Sequence, residues 1–152
     1  MIRKAKLNDF KGVLNAFREA QDLHAMNEPN IFKFVDPIDF KTFKEMFNNK
    51  DIIILVSENE LIIEGFLIAT IKEIGSNLTL DRKLMIIENL AVLKSRQRQH
   101  IGKFLINEIK RIADREKCDG LILNVWCFND NARSFYKHLG FKEKSIKMEL
   151  EI

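Results

Sequence analysis

Between Met85 and Gly102 the sequence reads MIIENLAVLKSRQRQHIG, a dense apolar and β-branched segment followed by a basic polar loop and then a 3.6-residue apolar repeat. A strand, a turn and a helix start satisfy these two periods in succession. The first N–H groups of a helix have no intrahelical acceptor and lie at the positive end of its dipole, so such a junction is a natural anion site. Arg96, Arg98 and Lys103 add charge in or just beyond the loop, and Gly102 allows a ligand close to the backbone. On these grounds alone a solvated basic turn fits the same residues. Two polar side chains, Glu88 and Asn89, interrupt the strand.

The rest of the composition narrows the partners. With 152 residues and 46% hydrophobic content the chain can bury a real core, and residues 1–152 are expected to form one domain. Lys and Arg total 25 against 22 Asp and Glu. A dispersed excess of three is too small to make nucleic acid the expected partner, and Arg96, Arg98 and Lys103 lack the aromatic interleaving of a single-strand groove. Cys118 and Cys127 have no Cys-x-x-Cys or Cys/His spacing, and His24, His100 and His138 are scattered, so no metal is expected. No leader-like h-region or membrane-length apolar run is present, and a cytoplasmic, reduced protein is the default expectation, with no membrane partner.

Taken in order, residues 2–7 read as a strand, and Asn8 and Asp9 as caps for a helix carrying Phe10, Val13, Leu14, Phe17 and Ala20. Pro29 and its asparagine neighbours break that helix, leaving Ile31, Phe32 and Phe34 in a loop that could cover a site. Asp36, Pro37 and Asp39 start a short helix with Phe40, Phe43, Met46 and Phe47. Residues 52–56 and 61–71 form a hairpin about Glu58-Asn59-Glu60, residues 74–81 a polar connection, and residues 83–92 the central strand. Ile101, Phe104, Leu105, Ile109 and Ile112 line a helix to about Glu116. Asp119-Gly120 turns the chain into LILNVWCF, residues 121–128, a strand apolar enough for both faces to be covered. Asn129 and Asp130 cap a last helix that Gly140-Phe141 ends, and residues 144–150 alternate like a final strand.

Three motifs in this order resemble the GNAT superfamily of N-acetyltransferases. Gln97-Arg98-Gln99-His100-Ile101-Gly102 is similar to the family's coenzyme A loop, R/Q-x-x-G-x-G/A, at its first and last positions, with His100 in place of the first glycine. Histidine enters left-handed backbone conformations more readily than most residues, so the turn is expected to survive. ENLAV, Glu88 to Val92, looks like the strand before that loop, and Asn129, Ala132, Phe135, Tyr136, Gly140 and Phe141 match N-x-x-A-x-x-F-Y-x-x-x-G-F. The resemblance spans essentially the whole chain. It implies an α+β (mixed α/β), GNAT-like three-layer fold, with a central mixed, mostly antiparallel sheet of about six to seven strands and about four flanking helices, in the order β-α-α-β-β-β-α-β-α-β.

Resemblance also implies the chemistry: an acetyl group moves from acetyl coenzyme A directly to a primary amine of a small molecule or peptide. The backbone of Leu90, Ala91, Val92 and Leu93 would pair with the pantetheine arm. The loop from Gln97 through Arg98, Gln99, His100, Ile101 and Gly102 to Lys103 would cradle the pyrophosphate, while Asn129 and Ala132 lie where the family binds the cofactor arm. Tyr136 matches the general acid for the leaving thiolate, a role its phenol suits with a reference pKa of about 10. By position alone Tyr136 fits a core tyrosine better than a catalytic one, and it is the motif that reverses this. Glu88 is the candidate general base and a substrate contact, because a carboxylate in an apolar strand needs a partner or a task; the alternative is an ordinary ion pair with a Lys or Arg. His24, Glu28 and Phe32 (or Phe34) are the candidate acceptor-site residues. Cys127 fits a buried structural thiol better than a nucleophile. A non-catalytic acyl coenzyme A sensor of the same fold is the alternative function, with His100 as its support, and the exposed hairpin and final strand could support a homodimer.

Overall fold

A computed structural model describes residues 1–152, Met1 to Ile152. Five strands form one sheet in the order β1-β2-β3-β4-β5: β1 (Ile2–Lys4), β2 (Ile52–Asn59), β3 (Ile62–Ser76), β4 (Thr79–Val92) and β5 (Gly120–Leu123). All neighbours are antiparallel except β4 and β5, which run parallel. That one parallel pair needs a crossover, supplied by α3 (Ile101–Arg115). The remaining helices are α1 (Phe10–Asn27), α2 (Phe40–Met46) and α4 (Asp130–His138). No helix is long and apolar enough to cross a membrane.

Strand alternation divides the core in two. Ile53 and Leu55 of β2 point toward α3, whose Ile101, Leu105, Ile106, Ile109 and Ile112 are buried against them, while Ile54 and Val56 point toward Val13 and Leu14 of α1 and Phe43 of α2. The result is the expected helix, sheet, helix layering. A fully buried side chain such as Phe43 or Leu105 stabilises by about 1.5–3 kcal/mol relative to an exposed one, so a sheet sequence apolar on both faces is held only where both helical layers reach it.

Five details depart from the sequence expectations. Residues 74–81 are not a connection but the far end of a long β3–β4 hairpin, closed at Asn77-Leu78 with Ser76 opposite Thr79; polar residues pair there because the ribbon projects beyond the core, leaving Leu78 and Leu80 exposed. The β2–β3 turn is Glu60-Leu61, both at positive φ (48° and 66°), rather than Glu58 to Glu60. Of residues 121–128 only the first three are strand, and residues 144–150 are in no strand at all, so the sheet has five strands rather than six or seven. Without an outer neighbour β5 has nothing to extend its pairing beyond Leu123. Finally, Asp9 does not cap α1: its carboxylate accepts from the Lys6 N–H at 2.7 Å and is gripped by Arg3 through Nη1 (2.7 Å) and Nη2 (2.9 Å), with Glu58 on the Arg3 Nε. The expected caps Asp39 and Asn129 do accept from Thr42 and Ala132 N–H groups.

Candidate active site

Pairing between β4 and β5 runs from Leu84–Gly120 to Ile87–Leu123 and stops. At the same level β4 carries a β-bulge: Ala69 faces Ile87 and Ile68 faces Asn89, leaving Glu88 as the extra residue. Alternation is therefore reset. Met85 and Ile87 face α3 before the bulge, and Leu90 and Val92 do so after it, with Ala91 on the α1 side. Glu88 and Asn89 do not face opposite ways, as unbroken alternation would require. The last five residues of β4, Glu88 to Val92, have β3 on one side and no strand on the other, an open edge to which an extended polar chain can add like a strand.

Beyond that edge the loop is tied down at several points. Leu93 N–H donates to the Glu64 carbonyl (2.9 Å), Lys94 N–H to Glu19 Oε2 of α1 (2.6 Å), and Gln97 Nε2 to the Val92 carbonyl (3.3 Å). Arg96 lies 3.6 Å from the buried Glu64 carboxylate, so its charge is largely committed to the fold, whereas Arg98 and Lys103 are exposed. Arg98 (φ 65°) and His100 (φ 62°, ψ 8°) are both left-handed, and His100 is the N-cap residue of α3. The glycine conformation is thus adopted by histidine. Its consequence is that the backbone N–H groups of Arg98, Gln99, His100, Ile101, Gly102 and Lys103 find no acceptor within the chain. Six successive donors at a helix N-terminus, flanked by two free cations, suit a multiply charged oxyanion such as a pyrophosphate. Ile101's side chain is buried in the core, so only its backbone faces the loop.

Helix α4 closes the other side. A Cβ on Gly102 would stand 3.1 Å from Cζ of Phe135 and 3.8 Å from Cδ2 of Leu90, so α4, the start of α3 and the β4 edge meet closely here, with room for a methyl only if Phe135 gives by a few tenths of an ångström. Next to Phe135, Tyr136 packs on the α3-side core with its ring 5.1 Å from Phe135 and 5.5 Å from Phe141. Burial pushes its phenol up to about 12. Gly140 (φ 91°) and the Phe141 N–H to Tyr136 carbonyl bond (3.0 Å) end the helix as the sequence implied. Asn129 Oδ1 and the Ala132 N–H bond to each other at 3.0 Å, which commits both to the cap and leaves Asn129 Nδ2 as their free donor.

Glu88 is exposed and lies 3.7 Å from Lys72, whose strand position puts the pair on the α1 side of the sheet. Glu88 and Tyr136 thus approach the open β4 edge from opposite faces. On the α1 side stands an aromatic wall: His24 stacks on Phe32 (5.0 Å), Phe32 meets Trp126 edge-on (5.1 Å), and Phe128 contacts both His24 (5.9 Å) and Trp126 (6.4 Å). Burial holds the His24 imidazole below its usual pKa. Glu28 ends α1 beside this wall, while Phe34 is 63% exposed and takes no part in it. The sequence reading missed Trp126 and Phe128, taken as strand core, and Glu19, whose anchoring role shows in no motif. An aromatic pair just past a parallel strand, where the pairing runs out, was the available signal.

A cavity of about 810 Å³ lies at the opposite end of the sheet. It is lined by three lysines and three carboxylates, among them Lys83, whose ammonium is already bound to the Glu116 carbonyl (2.7 Å). Charge there is balanced by an equal number of carboxylates, so the unpaired donor set at the start of α3 is the better anion site.

Solved structures share this architecture. A variant of a Bacillus halodurans protein is 23% identical and superposes with a TM-score of 0.97 over 100% of this chain and 99% of that one. An aminoglycoside acetyltransferase from an uncultured soil metagenomic sample, in complex with sisomicin, is 19% identical with a TM-score of 0.77 over 100% and 95% of the two chains. An aminoglycoside N-acetyltransferase in complex with CoA is 16% identical with a TM-score of 0.72 over 100% and 98%. In sequence, residues 48–143, well over half of the chain, match the acetyltransferase (GNAT) domain family. With the open β4 edge, the left-handed loop and the α4 motif all inside that matched span, the chain belongs to the GNAT acetyltransferase family.

Proposed function

We propose that this chain transfers an acetyl group from acetyl coenzyme A directly to a primary amine of a small molecule or peptide. The observation that carries this reading is the run of six unpaired N–H groups, Arg98 to Lys103, at the end of an unpaired strand edge. In it, those donors with the Arg98 and Lys103 side chains hold the pyrophosphate, and the Leu90 to Leu93 backbone aligns the pantetheine arm with the gap between β4 and β5. Acetyl coenzyme A supplies the activated acyl group as a thioester, whose departing thiolate needs a proton. Tyr136 holds that proton: with a phenol at about 12 it stays protonated at neutral pH, and its hydroxyl is not sealed in the core, since no buried side-chain polar atom lacks a partner.

On the acceptor side, the wall of His24, Phe32, Trp126 and Phe128 offers flat apolar faces, and Glu28 and Glu88 offer negative charge, a combination that suits a cationic amine carried on a ring system. Acetyl transfer to aminoglycosides by two proteins of similar fold supports the small-molecule acceptor over the peptide. Glu88, exposed and paired with Lys72, accepts the amine proton directly or through water. Both cysteines are free thiols, which supports a cytoplasmic location. His100 in a left-handed conformation leaves the sensor alternative without its sequence argument.

The test is calorimetric binding of acetyl coenzyme A followed by free-thiol release with polyamines, aminoglycosides, amino acids and peptide amines. Tyr136→Phe is expected to lower kcat with CoA affinity unchanged. Binding without turnover on the whole panel would favour the sensor, and no binding would remove the reading.

A further inference from the structure

Glu19 sits exposed on α1, where a carboxylate is normally satisfied by water. Its Oε2 instead accepts the Lys94 N–H at 2.6 Å, 75 residues further along the chain. Lys94 opens a short helical turn, residues 94–96, and the residue before it, Leu93, has no side chain that can accept from the turn's first donors. Glu19 therefore does from α1 what an N-cap does from within, and with a charged acceptor the bond is stronger than a neutral one.

That turn decides where the free donors point. Arg98, the first of them, follows it after Gln97 and is already left-handed, so a tilt of residues 94–96 is passed to the whole run up to Lys103. On its other side the turn rests on β3. Leu93 N–H donates to the Glu64 carbonyl (2.9 Å), and the buried Glu64 carboxylate lies 3.6 Å from Arg96 and accepts from Asn59 Nδ2 at 3.4 Å. Helix α1 is a firm second support, with Val13, Ala16 and Ala25 buried and the Phe17 ring 5.2 Å from Phe66 of β3. The same part of α1 also holds the acceptor side. Arg18 grips Asp36, with Nη2 2.8 Å from Oδ2, and Gln21 Nε2 donates to the Lys33 carbonyl at 2.8 Å, beside Phe32. His24, about 7.5 Å beyond Glu19 along the helix axis, stacks on that Phe32.

We propose that Glu19 is a positioning residue for cofactor binding: from the helix that carries the acceptor wall it fixes the 94–96 turn, and with it the direction of the donors from Arg98 to Lys103. It acts through the Lys94 N–H and not by touching the cofactor. This rests on the reading of that loop as a coenzyme A site. Charge alone argues for the opposite sign. A carboxylate near an anion site repels the pyrophosphate, so removing it should tighten binding unless its hydrogen bond matters more. Glutamine separates the two effects, because it keeps an oxygen acceptor at the same reach and loses only the charge.

Calorimetric titration of the full chain with coenzyme A compares wild type, Glu19→Gln and Glu19→Ala, beside hydrogen exchange of the Lys94 amide in the unliganded proteins. Glu19→Gln is expected to bind at least as tightly as wild type, with the gain largest at low salt. Glu19→Ala is expected to bind roughly fivefold to tenfold more weakly at every salt concentration. Its Lys94 amide should exchange fast and its circular dichroism spectrum stay unchanged, since Glu19 is exposed and no core contact is removed. Alanine binding as tightly as wild type, or glutamine binding as weakly as alanine, would overturn the proposal. A wild type that binds no coenzyme A would remove the reading of the loop, and this proposal with it, even where slow exchange at Lys94 shows the Glu19 bond intact.

Discussion

His100 offers the sharpest perturbation of the loop, because its backbone conformation and its side chain make separable predictions. At φ 62° and ψ 8° a residue with a Cβ bears roughly 1–2 kcal/mol of steric cost. Glycine removes that cost but loses about 0.5–1 kcal/mol to the greater freedom of the unfolded chain. His100→Gly is therefore expected to change stability by less than about 1 kcal/mol and to leave coenzyme A affinity intact. Valine is different, because a β-branched residue at positive φ is a true outlier. His100→Val relieves its strain by rotating out of the left-handed region, which turns the neighbouring N–H groups away from a common point. A hydrogen bond to a charged oxygen contributes about 1.5–3 kcal/mol, so each donor misdirected weakens binding by roughly tenfold to more than a hundredfold. Calorimetric titration with coenzyme A measures this beside thermal unfolding. Equal affinity in His100→Val and wild type would refute the backbone cradle. Loss of affinity in His100→Gly would move the contact to the imidazole.

At Gly102, alanine is 3.1 Å from Phe135 but gains about 1 kcal/mol of helix propensity, so urea unfolding of Gly102→Ala should change little, whereas Gly102→Val overpacks the contact and costs about 1–3 kcal/mol. Tyr136 is the only tyrosine, so its phenolate absorbance titrates it alone, with a midpoint expected at about 12. Because the unfolded phenol ionises near 10, its contribution to stability is complete below that pH and is lost as pH rises from about 10 to 12, by at most roughly 3 kcal/mol. The Arg3 guanidinium holds the Asp9 carboxyl below the usual carboxylate range, so its contribution is present above about pH 4 and is lost as pH falls through the lowered value. Asp9→Ala should cost about 2–3 kcal/mol in urea and flatten that acid limb.

The sequence carried most of the local grammar of this fold. Periodicity located α3, β2 and β4, and cap chemistry placed Asp39, Asn129 and Gly140, because these signals depend on residues within one turn of each other. What it missed depended on partners distant in the chain. Whether LILNVWCF is a strand is decided by what lies on its outer edge, and without a neighbour only residues 121–123 of it pair. Asp9 had the right residue type for a cap but met Arg3 first. Within the site, the donors from Arg98 to Lys103 and the conformation of His100 agree with the motif reading, since both follow from a strand-to-helix turn. Trp126 and Phe128 escaped it because their apolar character suits a buried strand as well as a binding wall. The bulge at Glu88 was visible only as an interruption, and its effect on strand facing needed the register with β3.

Amide chemical shifts of the 15N-labelled full chain, followed during titration with coenzyme A, test the assignment of the anion site most directly. The largest changes are expected at the six amides from Arg98 to Lys103, with smaller ones along Leu90 to Leu93. Changes centred instead on Lys50, Lys83 and the large cavity at the opposite end of the sheet, or no changes at all, would contradict it.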